Sequence, residues 1–173
     1  FREKIDKAGQ LLLQDNILII LQSNEIIGYD VSISSVKKVW SIKLAENNYL
    51  AGSRLAGGKL YLIAGKGASI GTPCPLKPFI VSDKETPVIV QCNQIYHPAT
   101  NFQADVVYTI ASFDALTGKS QKTVSLVANS QNSIFYVSQN AIYLTYSYFI
   151  DQADFVFNFL QEKANDLAPQ WVF

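Results

Sequence analysis

Methionine is absent from the 173 residues, histidine occurs once and cysteine twice, and Lys/Arg never gather into a block. Fourteen basic residues offset fourteen acidic ones, so the chain lacks the basic footprint that a phosphate backbone requires, and nucleic acid is not expected as a partner. Long apolar runs are missing too. The stretch Ile17–Leu21 is strand-sized, far short of the roughly 20 residues that cross a bilayer as a helix, and no membrane span is expected. The chain starts at Phe1 without a charged-then-apolar leader, so the native amino terminus is expected to lie upstream, and the missing leader says nothing about export.

What is present is a folded composition: 49% hydrophobic and 12% aromatic residues are more than a disordered segment carries. The runs "ILIIL", "EIIGYDV", "VKKVWSIKL", "KLYLIA", "VVYTIASFDA", "KTVSLV", "SIFYVS" and "AIYLTYSY" are short, rich in β-branched and aromatic residues, and separated by Asn, Gly and Ser. They read as strands of an all-β protein.

Internal repetition gives the architecture. "NILIIL" from Asn16, "KLYLIA" from Lys59 and "AIYLTY" from Ala141 look like one strand recurring, and Leu18 precedes Leu60 by 42 residues, within the ~40–45 residue period of a four-stranded propeller blade. "IIGYDVSISSVKKVWSIKL" from Ile26 aligns with "TIASFDALTGKSQKTVSLV" from Thr109, which places Tyr29-Asp30 on Phe113-Asp114, 84 residues later. No complete extra blade fits between them, so one blade carries an insertion.

The expected parse is a partial β-propeller of about two and a half four-stranded antiparallel blades. Blade one covers 11–44, with strands Leu11–Asp15, Ile17–Leu21, Glu25–Val31 and Val36–Leu44. Blade two covers 50–127, with Leu50–Ala56, Lys59–Ala64, an insertion at 65–105, Val106–Ala115 and Lys122–Val127. A partial blade covers 133–147, with Ser133–Ser138 and Ala141–Ser147, and a helical insertion follows at 149–173. In that helix Ala153, Phe157, Leu160, Ala164 and Leu167 share a face, between Asp151 as N-cap and Pro169 as stop. Both insertions follow a second strand, so they are expected side by side on one face of the disc. Two and a half blades leave sheet edges open, to be covered by the remaining blades of the same protein or by other copies.

The residues "YLAGSRLAGGKLYL" (Tyr49 to Leu62), "CPLKPFIV", "CNQIYHPA", "YTIASFDALTG" and "FYVSQNAIYLTYSY" resemble the uncharacterised secreted β-propeller domain family of archaea and bacteria, from about Ile17 to Phe159. That family looks like a distant relative of WD-repeat propellers, although no WD dipeptide or GH signature occurs here. The resemblance implies a full-length propeller outside the cytoplasm, extracellular or at the cell surface. It implies no known activity and carries no catalytic residues.

The stretch Thr72 to Ala99 holds both cysteines, the histidine and five of the six prolines. A Cys74–Cys92 disulfide closing 17 residues is favoured over free thiols and over a metal site with His97, because the close ligand pairs of zinc sites are lacking. It would suit an oxidising compartment. His97 has no nucleophile tied to it by motif and reads as structural or exposed. "GKGASIG" (Gly65 to Gly71) lacks the phosphate-loop order and reads as a flexible turn. Asp30 and Asp114 read as turn caps. Arg54, on an innermost strand, either lines the central channel or pairs between blades, the latter favoured. Among Tyr136, Tyr143, Tyr146, Tyr148 and Phe149, alternation assigns most to packing between blades and leaves Tyr148 and Phe149 as the exposed pair.

No catalytic residue, cofactor or metal is expected. The candidate binding surface is Pro75, Lys77, Tyr96, His97, Tyr148, Phe149 and Arg54, and the expected role is a non-enzymatic module for a protein or glycan ligand. The alternatives are a propeller enzyme with a site at the channel mouth and a purely structural assembly module.

Overall fold

The computed structural model describes residues 4–32, 35–69, 74–81, 86–99, 104–131, 133–138, 141–146 and 152–167. The first sheet starts with four antiparallel strands, β1 (Gln10–Gln14), β2 (Ile17–Leu21), β3 (Glu25–Asp30) and β4 (Lys37–Leu44). The second blade begins with β5 (Asn48–Ala56) and β6 (Lys59–Gly67), joined at Gly57-Gly58. Both glycines have positive φ, 56° and 71°, the pairing that a two-residue hairpin turn of the right twist demands. The insertion follows, with β7 (Phe79–Val81), β8 (Thr86–Pro87), a single 3-10 turn (Cys92–Gln94) and β9 (Ile95–Tyr96). The blade then resumes with β10 (Val106–Asp114) and β11 (Ser120–Ala128). A two-stranded sheet, β12 (Ser133–Val137) and β13 (Ile142–Tyr146), precedes the helix α1 (Gln152–Leu167).

The antiparallel blades and their order are those of a partial propeller, and the repeat is structural as well as sequential. The β3–β4 ladder slips at Gly28/Tyr29 and the β10–β11 ladder at Ser112/Phe113, 84 positions later. Two residues on, Asp30 and Asp114 do the same work. The Asp30 carboxylate accepts from the Ser32 backbone N–H at 2.9 Å and from the Asn16 amide at 2.8 Å; Asp114 accepts from the Thr117 N–H at 2.8 Å and its hydroxyl at 2.7 Å. Hydrogen bonds from Ser32 and from Thr117, respectively, hold these carboxyls below the usual aspartate range.

Strand alternation sorts the apolar side chains into two cores. Ile17, Ile19, Leu21, Ile26, Trp40 and Ile42 of the first blade meet Leu60, Leu62, Ala64, Ala111, Phe113 and Ala115 of the second. On the opposite face of the second blade, Ile63, Val106, Tyr108, Ile110 and Ala128 pack against Phe135, Ile142 and Leu144 of the third sheet. Trp40 ties the first interface. A methyl added at Gly28 would overlap its ring, and one at Gly118, where φ is +67°, would lie 2.8 Å from it. Only glycine admits the indole at both places.

One expectation is corrected. Strand β6 runs three residues past the expected start of the insertion: Gly65, Lys66 and Gly67 pair with Tyr108, Val107 and Val106, so the "GKG" turn is ladder, held by tertiary pairing against weak local propensity. Phe135, Val137, Ile142 and Leu144 face the second blade, and Tyr136 and Tyr143, the cross-strand pair of the other face with centroids 6.1 Å apart, are 63% and 56% exposed. On α1, Phe157 and Leu160 of the shared face are exposed together with Phe155, Val156 and Phe159. Tyr148, Phe149, Asp151 and Pro169 lie outside the described residues.

Candidate functional site

The insertion leaves the C-terminal end of β6 and meets the C-terminal halves of β4 and β11. It runs outward and completes both rims. Strand β7 pairs antiparallel with β4, the outermost strand of the first blade, through Ile42–Val81, Lys43–Ile80 and Leu44–Phe79. Strand β8 adds to β7. Strand β9 pairs parallel with β11, the outermost strand of the second blade, through Ser125–Ile95 and Leu126–Tyr96. One segment thus extends two adjacent sheets.

Its interior is fixed from the residues upward. Phe79 is fully buried in the core between the blades and meets Phe113 edge-on at 5.4 Å. Leu76 and Val90, both buried, exchange two backbone hydrogen bonds of 2.9 Å. The Pro78 carbonyl accepts from the Ala45 N–H at 3.0 Å, and the Gln94 side chain accepts from the Gln91 N–H at 2.8 Å at the head of the 3-10 turn. Cys74 and Cys92 form a disulfide with Cα atoms 5.4 Å apart. It joins the segment before β7 to the turn before β9, and so links the additions at the two rims.

Outside this braced interior stand the expected surface residues. Pro75, Lys77, Tyr96 and His97 are all exposed, Tyr96 by 69%. Their backbones sit beside the disulfide and the β9 ladder, so their positions are set although their side chains reach into solvent. The His97 Nδ1–H donates to the Pro98 carbonyl at 2.8 Å. With both sulfurs in the bridge, neither cysteine is a thiolate ligand, and among the described residues no three His, Cys, Asp or Glu side chains gather as a metal site.

Arg54 lies elsewhere. It is exposed on β5 and borders a cleft of 460 Å³ that Ser53, Phe135 and Tyr136 also line, between the innermost strands of the second and third sheets. No carboxylate lies within ion-pair distance of it among the described residues. The structure therefore places Pro75, Lys77, Tyr96 and His97 exposed on the insertion and leaves Arg54 at an inner cleft. Sequence reasoning missed Phe79, Leu76 and Val90 as the anchors of the insertion. The signal available was the apolar "FIV" run beside proline.

The family model for the beta propeller domain matches residues 4–169. The chain belongs to the beta propeller domain family. Among curated proteins, an uncharacterised protein of Archaeoglobus fulgidus is 38% identical over 169 residues, covering 98% of this chain and 26% of its own length. An uncharacterised protein of Methanocaldococcus jannaschii is 30% identical over 169 residues, covering 96% of the chain and 26% of its own. The propeller segment thus spans about a quarter of the length of these relatives. No solved structure matches the chain.

Proposed function

We propose that this propeller segment belongs to an extracellular or cell-surface protein and serves as a non-enzymatic binding or scaffold module, with the strapped rim as its recognition surface for a protein or glycan. One observation carries the reading: a disulfide-tied insertion is braced against both blades yet turns Pro75, Lys77, Tyr96 and His97 to solvent. A surface whose backbone is already ordered loses less entropy on binding than a free loop. An exposed Tyr beside Lys and His offers an apolar face with polar edges, which suits a peptide or a sugar ring. The disulfide agrees with an oxidising location.

Protein and glycan arrays probed with the 173-residue chain test the role. Binding that Tyr96→Ala combined with His97→Ala reduces at least tenfold supports it, and ligands retained in full by that variant and by Lys77→Ala contradict it. Location is read by protease treatment of intact host cells. Cleavage of the full-length protein on unbroken cells is expected, and protection until lysis contradicts the surface assignment.

A further inference from the structure

Strand β9 covers only Ser125 and Leu126 on the outer edge of β11. Upstream, Ser120, Lys122, Thr123 and Val124 pair with β10 on one side, and Ser120 to Val124 have no ladder partner on the other among the described residues. The uncovered edge is about 16 Å long at the usual rise of a strand. It forms one wall of a cleft of 530 Å³, whose other wall is Val81, Thr86, Pro87, Val88 and Ile89 of the insertion, a volume in the range of ligand sites. Ile89 is 47% exposed there.

We propose that this cleft takes an extended acidic peptide segment of another protein as an added strand on β11. It rests on the reading of the strapped rim as a recognition surface and names the partner's chemistry. Three features favour this occupant. The same edge already accepts β9 in a parallel ladder, so its backbone groups are in pairing geometry where the peptide would continue the sheet. Pro87 removes a donor from the facing strand and leaves β11 as the pairing edge. Lys119 and Lys122 line the cleft and no carboxylate appears among its described lining residues. Edge lysines repel basic strands and resist desolvation beside neutral apolar ones, so the strand admitted is one that brings carboxylates, and its β-branched residues would rest on Val88 and Ile89.

The test uses the 173-residue chain and an acetylated, amidated heptapeptide of alternating valine and glutamate, followed by backbone amide shifts. Saturable binding is expected, with shifts gathered at Lys119–Val124 and Val88–Ile89. A version with alternate peptide nitrogens methylated should bind at least tenfold more weakly, an effect that charge attraction alone would not produce. Lys119→Glu with Lys122→Glu should lose the acidic peptide and gain its lysine-for-glutamate counterpart. Scattered or unsaturable shifts, equal binding of the methylated peptide, or concentration-dependent shifts of the same amides without peptide, the mark of a second copy, would overturn the proposal. If the peptide fails while the Tyr96-dependent array ligands bind, the strand site falls and the rim reading stands; if both fail, both fall.

Discussion

Replacing Phe79 by alanine measures how far the insertion belongs to the core. The side chain is fully buried between the blades and presents its edge to Phe113 at 5.4 Å. Removing a buried phenylalanine costs about 3–5 kcal/mol, because the transfer free energy of the ring is lost and the cavity collapses only partly. The aromatic pair accounts for roughly 0.5–1.5 kcal/mol of this, which a double-mutant cycle with Phe113→Leu isolates. Against a total of roughly 5–15 kcal/mol for a typical domain, the loss is large enough to move a urea midpoint far at constant slope. A single transition shifted by that amount is expected. A loss below about 1 kcal/mol, or an early separate transition with the blades intact, would refute the reasoning and make the insertion a satellite of the fold.

Other perturbations follow from the same contacts. Cys74→Ser with Cys92→Ser opens a bridge of sequence separation 18, and loop-closure entropy sets the loss at about 3 kcal/mol by chemical denaturation. Gly118→Ala meets both a φ of +67° and Trp40 at 2.8 Å, for a loss of about 2–4 kcal/mol, whereas Gly57→Ala, with φ +56° and open space, should cost only about 1 kcal/mol of backbone strain; equal melting temperatures of the two variants would contradict this. Burial, with the Tyr49 hydroxyl next in weight, pushes the Tyr108 phenol up to about 12. Its folded pKa lies above the unfolded value of about 10, so its stabilisation is whole below pH 10 and is lost as pH rises toward 12, by up to about 2–3 kcal/mol, and Tyr108→Phe should flatten that slope. For Asp30, Asp105 and Asp114 the sign is opposite. Hydrogen bonds from Ser32, Ser130 and Thr117 depress their carboxyls, so stability present above pH ~4 falls as pH drops through the depressed values, and alanine at these positions should weaken the acid limb of a pH–stability curve.

The blades could be read from the sequence because their signals are local. "NILIIL" and "KLYLIA" carry their own β propensity, and the Asp30/Asp114 equivalence recurs with the ladder slip before it. The end of β6 could not be read that way: Gly65, Lys66 and Gly67 are poor strand formers and stay extended because Val106–Tyr108 pair with them from about 40 residues away. The same holds for the insertion. Strands of two or three residues, such as β7 and β9, have no period to detect, and their partners β4 and β11 are chosen by the packing of Phe79 and Leu76. In the third sheet the alternation was legible but its parity was not, since both faces of β12 and β13 are apolar and only contact with Tyr108 and Ile110 shows that Phe135 and Leu144 point inward. Pro75, Lys77, Tyr96 and His97 were legible as a surface because they crowd one polar, proline-rich stretch. That this surface lies at a rim between two blades was not, because the placement is a property of the two ladders.

The central claim is that the insertion fastens two adjacent blades across their rims, and native-state hydrogen exchange with the Cys74–Cys92 bridge intact and reduced tests it most directly. On reduction, amides of Ile42–Leu44 in the first blade and Ser125–Leu126 in the second are predicted to lose protection together, while those of β2 and the buried part of β6 keep theirs. Unchanged protection at both rims, or loss confined to one of them, would contradict the strap.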